Sequence, residues 1–215
     1  MRETIAGHIS AALAARTTWF IREQDIQLYL VSYFMNTQFY DNVFIEYHVP
    51  GILMPPYLLS DADSSYIDIV LEKDQAFYPV EINYKTTAQS LQRFVFGQAV
   101  NSQLKQSNAQ NISCYDFWKD IRKIEFLEAS FPAVKRGMTL FISNDPSYQK
   151  APNNPQAGYA PFSIHQGRHV PAGTTLNWNV FSSVANSRPG FGVNYYYVIN
   201  WVVLPFDQQH AYILV

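Results

Sequence analysis

The chain has 215 residues, 48% of them hydrophobic and 15% charged, with a formal net charge of −2. That length and apolar content suit one large domain, or a domain with an appendage, around a substantial core, and the charge balance excludes the overall basic field that drives strong nonspecific binding to nucleic acid. A single cysteine, Cys114, excludes an intrachain disulfide and a cysteine-based zinc site, and suits a reducing compartment.

Ile5 to Ala15 read as a helix, and Glu3, His8 and Ser10 make that stretch a poor secretory signal, so a cytoplasmic location is expected. Ile26, Tyr29, Leu30, Tyr33 and Phe34 recur at helical spacing and predict an amphipathic helix over 23–36, opened by Glu23. A strand over 42–49 follows, then a loop carrying Pro50, Gly51, Pro55 and Pro56. Ser65 to Leu71 and Pro79 to Lys85 are rich in β-branched and aromatic residues, with Lys73, Asp74 and Gln75 between them, which predicts a hairpin. Residues 88–106 and 115–130 are read as helical, separated by the polar stretch Ser107 to Ser113, and 138–143 as a strand. This order suits an α/β fold with an αβββαβ core over 1–145 and a mixed sheet flanked by helices. A proline-rich loop over 146–160 leads to a β-rich C-terminal extension over 161–215, with strands expected at 162–165, 174–180, 195–203 and 212–215. No apolar run reaches the roughly 18 residues of a membrane helix, so no membrane partner is expected.

The hairpin carries the chemistry. A turn centred on Asp74-Gln75 gives opposed residues a constant number sum and places Asp68 opposite Glu81. Strand alternation puts Glu81, Asn83 and Lys85 on one face and Val80, Ile82 and Tyr84 on the other. Directly opposed Cβ atoms lie about 4.5–5.5 Å apart, a span that one divalent cation bridges at about 2.0–2.1 Å per oxygen. The same two acids would equally serve as surface residues on a solvated hairpin, and a three- or five-residue loop would shift the register and remove the facing.

At these residues the chain resembles the PD-(D/E)XK nuclease superfamily, the restriction-endonuclease-like fold. Glu23 to Leu30 ahead of Val43 to Pro50, and Tyr115 to Glu125 followed by Leu140 to Asp145, resemble the elements around the motif, in order, and are similar to a group of uncharacterised bacterial proteins with a fuller Glu-x-Lys-Tyr-Lys motif. The resemblance implies a nuclease that hydrolyses DNA phosphodiester bonds with Mg²⁺ or Mn²⁺, in restriction or mobile-element defence, and a homodimer. It assigns Asp68 and Glu81 to the metal, with the backbone carbonyl near Ile82 and with Glu23 through water. The acid-x-Lys triplet reads Glu81-Ile82-Asn83, so Asn83 stands where the lysine belongs and Lys85 must supply the cation. Residues four apart on a strand are about 13 Å apart and a lysine stem spans roughly 6 Å, so Lys85 reaches back only through a bulge or bend.

Gln98, on the helix expected after the motif, and Gln27, one turn from Glu23, occupy places where such nucleases add polar groups to the site. Lys119, Arg122 and Lys123 would meet phosphates, or pair with Asp116 and Asp120 along a solvated face. Two other functions fit the sequence: a degenerate relative that binds nucleic acid or a protein without cutting, and a small-molecule binder built on the aromatic C-terminal strands. His165 and His169 lack the company a zinc site needs. Gly190-Phe191-Gly192 is not a dinucleotide fingerprint, and no Walker lysine or Gly-x-Ser-x-Gly elbow occurs.

Overall fold

The structure, a computed structural model, describes residues 1–60, 64–107, 109–179 and 183–215. Helix α1 (Arg2–Ala15) buries Ile5, Ile9 and Leu13, and α2 (Glu23–Thr37) buries Ile26, Leu30 and Phe34, each a single stripe at four-residue spacing. Asp25 closes the first turn of α2 by accepting the N–H groups of Ile21 at 3.0 Å and Arg22 at 3.1 Å.

Strands β1 (Asn42–Pro50), β2 (Ser64–Lys73) and β3 (Ala76–Lys85) form an antiparallel meander. The β2–β3 turn has two residues, Asp74 at φ 51° and Gln75 at φ 61°, with Lys73 opposite Ala76. That is the type I′ pattern, whose twist matches the flanking strands, and it sets the register that the sequence implies.

The helix expected over 88–106 is instead a ribbon of β4 (Gln89–Val95) and β5 (Gln98–Leu104), which pairs only with itself. Leu91, Val95, Val100 and Leu104 fall on one face of it by strand alternation, and Phe96 at φ 50° with Gly97 at φ 82° makes another two-residue turn. Helix α3 (Gln110–Ser130) starts inside the polar stretch expected to precede it, of which Asn108 lies outside the described residues. Strand β6 (Met138–Ser143) then runs parallel to β3. A Cβ at Gly137 would lie 1.8 Å from the carbonyl oxygen of Pro79, so only glycine lets the chain enter β6 beside β3.

The C-terminal part differs from expectation. β7 (His169–Val170), β8 (Thr175–Leu176), β9 (Phe191–Gly192) and β10 (Tyr197–Val198) form two short ribbons, β7 with β10 and β8 with β9. Of the strands expected there, 162–165 follows a 3₁₀ turn without pairing, and Val180 lies outside the described residues. β11 (Val202–Leu204) and β12 (Asp207–Leu214) are strands of the central sheet, whose order is β1-β2-β3-β6-β12-β11. The polar start of β12 hides it in the sequence; Asp207 and His210 are buried and bond to each other.

Alternation along β3 and β6 divides the interior. Val80, Ile82, Leu140 and Ile142 pack under α1 and α2, while Phe141 faces α3 and the C-terminal aromatics. Phe141 meets Phe117, Tyr148 and Trp201 edge to face at ring-centroid distances of 5.8, 5.1 and 5.8 Å. Tyr115, Phe162, Trp178 and Phe191 likewise pack on one another, so these rings are core. No helix among the described residues is long and apolar enough to cross a membrane.

Candidate functional site

The β2–β3 ladder stops at Ile69 opposite Val80, one pair short of Asp68 and Glu81. Beyond that point β3 needs other partners for its N–H groups, because a buried unpaired amide is costly. Two carboxylates supply them. Asp68 Oδ2 accepts the Ile82 N–H at 2.6 Å, and Glu23 Oε2, from the start of α2, accepts the Tyr84 N–H at 2.8 Å. The place where the strands part is therefore where the acids gather.

A cavity of about 390 Å³ opens there, lined by six carboxylates (Glu23, Glu46, Asp68, Glu81, Asp116, Asp120) and three lysines (Lys85, Lys119, Lys123), with Ser60, Tyr66, Ile82 and Asn83. The Asp68 and Glu81 side chains converge to within hydrogen-bonding reach of each other. Glu81 is buried, and its Oε1 accepts from Lys123 Nζ at 2.7 Å. Lys123 also donates to the Tyr66 carbonyl at 3.3 Å and stands 3.6 Å from Asp120. Asp120 in turn accepts from Asn83 Nδ2 at 2.9 Å. Gln27 is buried and donates from Nε2 to Glu46 Oε1 and to the Asp68 backbone carbonyl, both at 2.8 Å. Glu46 has φ 48°, a conformation rare for a residue with a side chain and concentrated at functional sites.

Crowded buried acids resist ionisation. Burial first, and then the Glu81 charge, push the Asp68 carboxyl up to about 9 against the pull of the Ile82 N–H. Burial also raises Glu81, with the Lys123 ammonium opposing. Burial works against charge on Lys123, but Glu81 and Asp120 outweigh it and hold the ammonium above its ordinary range. Of the two raised acids Asp68 holds its proton more tightly, while the Lys123 ammonium favours the carboxylate form of Glu81.

The Asp68 shift fixes a sign. The folded protein holds the Asp68 proton up to about pH 9, whereas an unfolded aspartate loses it near 3.8. Stability from this group is full below the unfolded value and falls as pH rises through that window, by at most about 1.4 kcal/mol per pH unit. Asp68→Asn keeps an acceptor for Ile82 and offers Glu81 a donor without a proton to lose. Its stability in urea titrations should gain on wild type by at least about 1.4 kcal/mol between pH 5 and pH 8; parallel pH profiles would remove the buried proton from Asp68.

The expected residues separate clearly. Asp68, Glu81, Asn83, Lys85, Ile82 and Glu23 all line the cavity, and Ile82 meets Asp68 through its backbone N–H. Asn83, on the same face as Glu81 and Lys85, is buried and held by Asp120. Lys119 and Lys123 both line the cavity, but Lys123 is buried and paired with Glu81 rather than spread along a solvated face. Gln27 positions Glu46 and Asp68 from inside the protein. Gln98 is not on a helix but exposed at the tip of the β4–β5 ribbon. The sequence reading assigned no site role to Glu46 or Asp120. For Asp120 there was a signal, because Asp116, Lys119, Asp120 and Lys123 make a polar stripe at helical spacing.

Among the described residues no group of three or more His, Cys, Asp and Glu side chains stands in metal-ligating geometry. The Asp68–Glu81 pair fits the smaller protein share that Mg²⁺ takes, one or two carboxylates with water and phosphate completing the shell. The chain matches no family model, no curated protein and no solved structure.

Proposed function

We propose that this protein is a divalent-metal-dependent nuclease of the PD-(D/E)XK type that hydrolyses DNA phosphodiester bonds at the β2–β3 cavity. The observation that carries the reading is the ion pair of Lys123 with Glu81 beside Asp68. It supplies from α3 the cation that Asn83 removes from the acid-x-Lys triplet, and it relieves Lys85 of a reach along the strand.

Asp68, Glu81 and the Ile82 carbonyl would hold Mg²⁺ or Mn²⁺, which when bound neutralises phosphate charge and lowers the pKa of water. Lys123 favours the ionised form of Glu81 and, being held protonated, acts as a fixed positive charge near the phosphate rather than as a base. Asp120 orients both Asn83 and Lys123. Lys85 and Lys119, both half-buried at the cavity, bind flanking phosphates. Glu46, the exposed carboxylate of the cavity, would take the proton of the attacking water as its oxygen bonds to phosphorus and the P–O bond to the sugar breaks, with solvent water protonating the leaving oxygen.

The six acids of the cavity outnumber its three lysines and disfavour a polyanion, so binding of DNA follows charge neutralisation by the cation. Ion binding must expel the Asp68 proton. Calorimetry with Mn²⁺ in buffers of different ionisation enthalpy should show about one proton released per ion near pH 7 and affinity rising toward pH 8. Asp68→Asn should lose the binding; equal binding by wild type and variant would place the ion elsewhere.

A further inference from the structure

The β4–β5 ribbon has no role in the cavity, yet it carries the most exposed aromatic side chains among the described residues. Phe94 is 77% exposed and Phe96 at the tip is fully exposed, at 102%. Its two faces are unlike. Leu91 and Leu104 are buried at the base and Val95 and Val100 are half-covered, whereas Ser90, Gln92, Phe94, Ala99, Asn101 and Gln103 form a face open to solvent. A lone two-stranded ribbon is marginally stable in water. This one is fastened at its root: the Thr86 N–H donates to Ser107 Oγ at 2.7 Å, the Thr87 N–H donates to Asn144 Oδ1 at 2.8 Å, and Asn144 Nδ2 donates to Gln89 Oε1 at 2.7 Å.

Position and chemistry narrow the occupant of that open face. The ribbon leaves β3 directly after Lys85, a residue of the cavity, and its seven-residue strands at about 3.4 Å per residue set the tip roughly 20 Å from the root. No Asp or Glu occurs between Lys85 and Asp116, while Arg93 and Lys105 do. The arm beside the acid-lined cavity thus carries no acid of its own to repel a polyanion. An open face of amides suits base edges, a two-stranded ribbon fits the major groove of B-form DNA, and exposed phenylalanines at a tip suit insertion between bases. A-form RNA has a deep, narrow major groove that excludes such a ribbon.

Resting on the nuclease reading, we propose that the β4–β5 ribbon is a grip for duplex DNA: its amide face lies in a groove next to the cut site and Phe94 and Phe96 wedge against the base stack. The test is fluorescence anisotropy with a 30-base-pair DNA duplex carrying 2-aminopurine, in Ca²⁺, on wild type and the Phe94→Ala/Phe96→Ala variant, with thermal melts to show that both fold. A second variant, Gln92→Ala/Asn101→Ala, probes the amide face without touching the rings.

Stacking on aromatic side chains predicts at least a tenfold loss of affinity in the phenylalanine variant. The 2-aminopurine signal should rise with wild type and stay flat with that variant, and an RNA duplex should bind at least tenfold more weakly than DNA. Equal DNA affinity in wild type and both variants overturns the proposal, as does a wild type that binds no duplex. A phenylalanine variant that changes only the sedimentation of the protein, or only its binding to phosphatidylcholine vesicles, also overturns it and assigns the ribbon to a second copy or to a lipid surface. Ribbon-dependent binding of a duplex that Mg²⁺ and Mn²⁺ never lead to cleavage would sink the nuclease reading and leave the grip standing.

Discussion

Lys123→Met is expected to slow cleavage of duplex DNA by about 10²–10³-fold at saturating Mg²⁺, the usual cost of removing one preorganised charge from a site where negative charge develops. The methionine keeps most of the stem volume, so the loss reports the ammonium that reaches Glu81 at 2.7 Å. Lys85→Ala, at a half-buried position of the cavity lining, should cost much less and act mainly on KM, as a flanking phosphate contact does. Single-turnover kinetics on the two variants separates these roles. A large rate loss in Lys85→Ala with a small one in Lys123→Met would return the catalytic cation to β3.

The same substitution carries the largest stability effect. Glu81 and Lys123 are both buried, and removing one partner of a buried pair costs about 3–5 kcal/mol because the other charge is left uncompensated. In Lys123→Met the Glu81 carboxyl loses the cation that opposed its raised pKa. It therefore retains a proton to higher pH in the folded state, and the destabilisation should be smaller at pH 5 than at pH 8. The double variant Glu81→Gln/Lys123→Met removes both charges and should recover most of the loss. Urea titrations of the two single variants and the double one give the coupling directly; additive losses would mean that the pair does not interact in solution.

The Asp68–Glu81 convergence was legible because one local feature sets it. Asp74 and Gln75 accept left-handed backbone, a two-residue turn follows, and every opposed pair in the hairpin is then fixed. The inward turn of Lys123 was not legible, because α3 is covered on more than one side. Its apolar stripe through Phe117, Ile121 and Ile124 identifies one buried face, but nothing in the spacing says that the neighbouring polar stripe lies over the split between β2 and β3. Glu46 escaped for a different reason: its side chain enters the cavity from a left-handed residue, and strand alternation has no means of anticipating that break. The ribbon at 89–104 carried its signal in weak alternation and in Gly97, and the many glutamines around them disguised it as a polar helix. The placement of β12 beside β6 depends on partners more than 60 residues apart, such as Ala211 and Ser143, a pairing no local pattern encodes.

The central claim is that Asp68 and Glu81 form a cation site at which DNA is cut, and the direct test is to incubate supercoiled and linear duplex DNA with wild type and Asp68→Asn in Mg²⁺, Mn²⁺ or EDTA. Cleavage by wild type in either metal, absent with EDTA and at least about 10²-fold slower in Asp68→Asn, is the predicted result. Intact DNA with wild type in both metals, or equal cutting by wild type and variant, would contradict it.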